Sequence, residues 1–250
     1  MNNYKYESLY KISPFEKDVN NSIKIGALLN YMQLTAANSL NNIDKKFSIE
    51  GLAQKGLGWF LIRYRLEIQD YPTNIDEILI KTECRGCHKM TTFRDFKIIN
   101  PKTEQILLKA TSSWFVVDLN SKSLINISKE FPDFRTFEKC DDDIVLGKLK
   151  AIDNYDCEKE FQVLYDNLDM NGHVNNTVYA TWALEALDYE FRTLHKLKTL
   201  DIFFKHEVKY NDKILSKVKI DLQNLISHHL IINSQTGEEV CLINAEFETI

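Results

Sequence analysis

The sequence has no surplus of basic residues: 31 Lys and Arg stand against 36 Asp and Glu, a net charge of −5 at pH 7. A nucleic-acid binder needs a cationic surface to displace counterions from phosphates, and no long basic run makes up the deficit. Nor does any stretch approach the ~18 consecutive apolar residues that a membrane-crossing helix requires. The opening, Met1-Asn2-Asn3-Tyr4-Lys5-Tyr6-Glu7, has neither an apolar signal core nor an Arg/Ser-rich transit character, so the expected location is cytoplasmic. Cysteine is scarce and odd in number: Cys84, Cys87, Cys140, Cys157 and Cys241 have no framework spacing, which excludes a disulfide scaffold and fits free thiols in a reducing compartment. Cys84-Arg85-Gly86-Cys87-His88 matches a haem-attachment spacing literally. Covalent haem goes with export, however, and a structural zinc would need a second ligand pair. The two cysteines are read as small residues at a strand end, and no metal or cofactor is expected. The serine-hydrolase signature G-x-S-x-G is also missing, which removes an acyl-serine mechanism.

What is present is ordinary for a soluble globular chain of 250 residues, with 44% hydrophobic and 27% charged side chains, enough for one large domain or two small ones. Residues 6–15 read as an entry strand and lead into a helical segment that starts near Ile23. Residues 57–68 alternate: Phe60, Ile62, Tyr64, Leu66 and Ile68 face one way, and Trp59, Leu61, Arg63, Arg65 and Glu67 the other. Strands are expected again over 77–84, 91–99 and 105–117, the last two as a hairpin across Asn100-Pro101-Lys102-Thr103-Glu104. Residues 118–160 show no sustained period and predict a linker lying along the surface, with a short helix in it. Then the plan repeats: a strand over 160–165, a helix from Asn175 to about Leu194, and alternation over 202–210 and 214–222. A turn at Ser234-Gln235-Thr236-Gly237 leads into a terminal strand over 240–247.

The repeat extends to single residues. Asp18-x-Asn20-x-Ser22 aligns with Asp169-x-Asn171-x-His173, and Asp76-Glu77-Ile78-Leu79 with Asp212-Lys213-Ile214-Leu215. Two copies of strand, helix and antiparallel strands predict a long helix wrapped by a sheet, twice.

The chemistry concentrates in the second copy. Asp169, Asn171 and His173 converge on a helix start where Asn175 and Asn176 suit an N-cap. Val174, Val178, Trp182 and Ala186 recur at every fourth position and give that helix an apolar face. A helix start offers free N–H groups and partial positive charge to a developing oxyanion. His173 can act as acid or base, Asn171 can orient water or donate through its amide, and Asp169 can orient either neighbour.

Asp169-Met170-Asn171-Gly172-His173-Val174-Asn175-Asn176-x-x-Tyr179 resembles the active-site segment of acyl-ACP thioesterases. Tyr71-Pro72, Arg94-Asp95-Phe96 and Ala110-Thr111-Ser112-Ser113-Trp114 resemble signatures of that family's first half. The resemblance implies a double hotdog fold of the α+β class. It also implies a substrate-binding first unit (1–120), a linker (121–158) and a catalytic second unit (159–250). The implied reaction is hydrolysis of fatty acyl-ACP to free fatty acid and holo-ACP, with acyl carrier protein as partner. No nucleic acid and no membrane span are involved, and two such chains could pair as a homodimer. Glu207 resembles the family's catalytic acid, in a strand position. Plant relatives follow it with a cysteine; Val208 stands here, which leaves Glu207 as base or nucleophile. In the first copy Ser22 replaces the imidazole and Glu67 is a loose counterpart of the acid, so that copy is expected to do no chemistry. A hotdog acyl-CoA thioesterase, a non-catalytic acyl-thioester sensor and a hotdog dehydratase are the alternatives. The sensor should lack the acid, amide and imidazole set, and the dehydratase fits the Asn-x-His and later Glu pattern poorly.

Overall fold

The computed structural model describes residues 4–250. Its strands are β1 (Lys5–Lys11), β2 (Leu57–Ile68), β3 (Glu77–His88), β4 (Thr91–Ile99), β5 (Ile106–Asp118), β6 (Cys157–Gln162), β7 (His195–Phe204), β8 (Lys213–Asp221), β9 (Ile226–Asn233) and β10 (Glu239–Thr249). Its helices are α1 (Ile25–Ile43), α2 (Ile49–Ala53), α3 (Ile127–Glu130), α4 (Asn176–Glu185) and α5 (Tyr189–Leu194). All ten strands join one antiparallel sheet in the order β1-β3-β4-β5-β2-β7-β10-β9-β8-β6. Outward from the centre the two halves read alike: β2, β5, β4, β3, β1 on one side and β7, β10, β9, β8, β6 on the other. The halves meet where β2 pairs with β7, Tyr64 opposite Ile202 and Leu66 opposite Leu200. That pairing hides an edge that each half-sheet would otherwise expose.

Both principal helices belong to one apolar core. Leu28, Leu29 and Met32 of α1, Ala180, Trp182 and Ala183 of α4, and Tyr64, Leu66, Leu200 and Ile202 of the central strands are all buried in it. Gly26 lets the helices touch: a Cβ there would lie 3.1 Å from Thr181 Oγ1. The expected four-residue face of α4 is too narrow, because Tyr179, Ala180, Ala183 and Leu184 are buried as well as Trp182. The helix is enclosed on most sides. It is also shorter than the spacing suggests. Ala186 ends α4, extended Asp188 breaks the helix, and α5 begins anew. Leu187 and Phe191 are buried on both sides of the break, so the apolar period runs on where the backbone turns.

Strand β2 keeps its predicted bounds but not one phase. A bulge between Leu61 and Arg63 buries Leu61 and leaves Phe60 and Ile62 half-buried, while Tyr64, Leu66 and Ile68 stay inside. One extra residue reverses every side chain beyond it. The linker contains the short helix α3 and packs Ile127, Phe131 and Phe134 into a second apolar cluster, with Phe47, Leu52, Cys84 and Cys87. Gly86 explains the Cys-Arg-Gly-Cys sequence. Its φ of +107° is open to glycine, and a Cβ there would sit 2.4 Å from the Arg135 carbonyl, so the linker backbone lies directly against β3. Cys87 N donates to Arg135 O at 2.8 Å and Phe137 N to Cys87 O at 2.9 Å.

Candidate active site

A polar turn precedes α4 and is held together by Asp169. One carboxylate oxygen of Asp169 accepts the backbone N–H of Asn171 at 2.8 Å and of His173 at 3.2 Å. The Asp169 N–H donates to His173 O at 2.7 Å, and the Gly172 N–H to Asp169 O at 3.1 Å. Gly172 has φ +75°, the left-handed conformation such a closed turn needs. Asn175 then caps the helix, its side-chain oxygen accepting from Thr177 N at 3.1 Å. The N–H that a helix start would offer an oxyanion is thereby used at Thr177.

Asp169 and Asn171 are exposed and His173 is half-buried; besides the turn's backbone, Asp169 holds the Asn171 side chain, its Oδ2 accepting from Asn171 Nδ2 at 3.4 Å. The imidazole meets a different carboxylate: His173 Nε2 lies 3.2 Å from Glu207 Oε2. Glu207 is not on a strand. Strand β7 ends at Phe204, and Glu207 sits in the irregular segment that follows. That segment is tied to the turn by Val174 N donating to Val208 O at 2.9 Å and by a bridge between His173 and Lys209. Lys205, a neighbour that would have made Glu207 an ordinary surface ion-pair member, pairs instead with Glu239.

The four residues singled out from the sequence all line one cavity of about 630 Å³. Its other walls are largely first-half residues: Ala36, Ala37 and Leu40 of α1, Trp59 to Ile62 of β2, and Arg94 and Trp114 of the sheet. Tyr179 of α4 also lines it, and burial pushes its phenol far above the ordinary range, leaving a neutral hydroxyl. Cys84 reaches the cavity, but burial raises its thiol as well, which makes it a poor nucleophile. Arg94 is buried, donating from Nη1 to Ser39 Oγ at 3.0 Å and Thr82 Oγ1 at 3.1 Å, and burial lowers its pKa. Sequence reasoning did not foresee the Gln33 amide on this wall. Its one signal was a polar residue on the stripe Gln33, Ala36, Ala37, Leu40 of an otherwise apolar face.

The first half builds the same turn with different chemistry. Asp18 Oδ1 accepts from Asn20 N and Ser22 N, both at 3.0 Å. Asp18 N donates to Ser22 O at 2.8 Å, and Asn21 takes the left-handed place of Gly172 at φ +58°. Ile23 N donates to Pro72 O at 3.0 Å, as Val174 does to Val208. The residue matching Glu207 is therefore Tyr71, not Glu67, and its hydroxyl donates to Ile23 O at 2.8 Å. Ser22 does not cap α1 either: its Oγ lies 2.6 Å from Thr73 Oγ1. Imidazole and carboxylate are both missing from this copy.

Residues 3–134 match the acyl-ACP thioesterase N-terminal domain, and residues 150–249 the acyl-ACP thioesterase C-terminal domain. Oleoyl-acyl carrier protein thioesterase 2, chloroplastic, of Arabidopsis thaliana is 25% identical over 238 residues, covering 88% of this chain and 64% of its own. The chain thus spans a little under two thirds of that relative. An acyl-ACP thioesterase from Bacteroides thetaiotaomicron superposes with a TM-score of 0.85 at 21% identity over 98% of both chains. The 12:0-ACP thioesterase from Umbellularia californica gives 0.85 at 21% identity, over 99% of this chain and 95% of that one. At these identities the structural likeness establishes the fold, a hotdog fold.

Proposed function

The chain belongs to the acyl-ACP thioesterase family, and on that premise we propose that it hydrolyses the thioester joining a fatty acyl group to acyl carrier protein. The products are free fatty acid and holo-ACP. The observation that carries this reading is the His173–Glu207 pair on the wall of a cavity to which the first half contributes Ala36, Ala37, Leu40, Leu61 and Trp114. We read the architecture as two hotdog units: a first (1–120) that walls the acyl chain, a linker (121–158) and a catalytic second (159–250).

Glu207 acts as general base. It takes a proton from water as the water oxygen bonds to the thioester carbon. The carbon–sulfur bond then breaks, and the proton returns through His173 to the departing sulfur, so the carrier leaves as a thiol. With Val208 next in sequence and the Cys84 thiol held protonated by burial, water is the nucleophile. Asp169 keeps the turn closed so that His173 points at Glu207, and Asn171 lies beside them as a donor to the incoming water.

The test is thiol release from matched acyl-ACP and acyl-CoA substrates over a range of chain lengths. We expect turnover of acyl-ACP, lost in His173→Ala. Equal or faster turnover of acyl-CoA would reassign the carrier, and no thiol release from either would reject hydrolysis.

A further inference from the structure

We propose that Gln33, in the first half of the chain, is a catalytic residue of the same site: its carboxamide N–H donates to the thioester carbonyl oxygen as negative charge develops there. The proposal rests on the thioesterase reading above and adds to it a donor from the half that has no acid–base pair.

Gln33 Nε2 is cut off from solvent and has no hydrogen-bond partner, although Gln33 lines the cavity. An orphaned buried amide is destabilising, and buried polar groups are rarely left so without a role. Its position along α1 gives the role. The central pair β2–β7 is antiparallel and the strands run outward in the same order on both sides. The halves are therefore related by a rotation that sets α1 and α4 in opposite directions. They touch where Gly26 meets Thr181. Gln33 is two helical turns, about 10 Å, beyond Gly26. Back along α4 from Thr181, five residues lead to its first residue, Asn176, which follows the turn that carries His173. Gln33 also lines the same cavity as Asn171, His173, Val174 and Glu207.

Chemistry requires such a donor. Attack on the thioester carbon puts negative charge on the carbonyl oxygen, and a preorganised donor there is usually a large part of the rate enhancement. In the second half, Thr177 N–H is already taken by Asn175, Asn171 Nδ2 donates to Asp169 Oδ2 at 3.4 Å and is assigned to the incoming water, and Asp169 and Glu207 can only accept when ionised, which leaves the Tyr179 hydroxyl as the other candidate. Gln33 lines the same cavity from the other helix, so an acyl carbonyl bound between the two would have water activated on one side and an N–H on the other. The terminal torsion of glutamine is soft, and a rotation about it turns the N–H to the bound carbonyl.

The test compares wild type, Gln33→Leu and Gln33→Met for thiol release from one acyl-ACP, with melting curves alongside. We expect kcat to fall roughly 10²- to 10³-fold, the scale for a lost oxyanion donor. KM should change little, and Tm should be unchanged or raised, because the orphaned amide is gone. A purely structural role would show the reverse: lower Tm with kcat preserved. Either variant keeping wild-type kcat overturns the assignment, as does a kcat loss matched by unfolding. If wild type itself releases no thiol, it is the thioesterase reading that fails, and Gln33 falls with it.

Discussion

At the scale of single residues, the proposed site joins an imidazole and a carboxylate that reach each other from separate segments. His173 is fixed by a turn closed on Asp169, and Glu207 by the backbone bond from Val174 to Val208. Truncating either His173 or Asn171 to alanine should lower kcat by roughly 10²-fold or more with folding intact, the scale for a lost acid–base group or donor. Steady-state thiol release checked against far-UV circular dichroism reads this directly. The turn was legible in the sequence because its polar residues, glycine and cap are consecutive. Glu207 was legible only through family resemblance, since it lies in an irregular segment between lysines, and nothing local tells that Lys205 turns away to Glu239. A second residue-scale prediction concerns His229. Fully buried, with Nε2 2.7 Å from Ser227 Oγ, it is held neutral down to about 3, first by burial and then by the charge of His228. The unfolded chain binds that proton near pH 6.5. Between those values the unfolded state carries the extra proton, so stability falls as pH drops below about 6.5, by up to about 1.4 kcal/mol per unit. Urea melts at pH 7, 5 and 4 should show a shallower pH dependence in His229→Leu than in wild type. Equal slopes would assign the acid lability to other groups.

At the scale of elements, periodicity located most strands and misjudged what interrupts them. The bulge in β2 left no mark in the hydrophobic pattern, because aromatic and aliphatic residues occupy both faces around Leu61. The break between α4 and α5 was hidden because Ala183, Leu187 and Phe191 keep a four-residue spacing across it. Strand β9 had no assigned range; Ser227, His228 and His229 interrupt its apolar pattern. Gly86 is where an element depends on one residue. Gly86→Ala forces a strained φ and drives a Cβ into the linker backbone, and should cost roughly 1–3 kcal/mol or more. Thermal unfolding measures it, and an unchanged Tm would mean that the linker does not need this close approach. Ser22 gives the contrasting case. Its hydroxyl bonds Thr73 and no reacting group, so Ser22→Ala should cost on the order of 1 kcal/mol and leave kcat unaltered.

At the scale of the whole molecule, one sequence plan is used twice, and the second copy alone pairs an imidazole with a carboxylate at the matching turn. The matching turns at Asp18 and Asp169 could be read from spacing alone, and so could the substitution of Ser22 for the imidazole. The loss of the carboxylate could not, because Tyr71 is identified as the partner of Glu207 only by the shared backbone bonds to Pro72 and Val208. The cavity was equally invisible in the sequence: it forms between the halves' elements, from Ala36 and Ala37 on one helix to His173 at the other. Its first-half wall should set which acyl chains fit. Ala37→Phe fills part of the cavity and should shift the kcat/KM ratio toward shorter acyl groups, and an unchanged chain-length profile would remove α1 from the acyl-binding wall. We propose a single hydrolytic site in the second half, built on Glu207 and His173. Its most direct test is the kcat for thiol release from acyl-ACP in wild type, Ser22→Ala and Glu207→Gln, measured side by side with Tm. We expect Ser22→Ala to match wild type and Glu207→Gln to lose at least roughly 10²-fold at an unchanged Tm. Full activity in Glu207→Gln, or a large kcat loss in Ser22→Ala with normal melting, would contradict it.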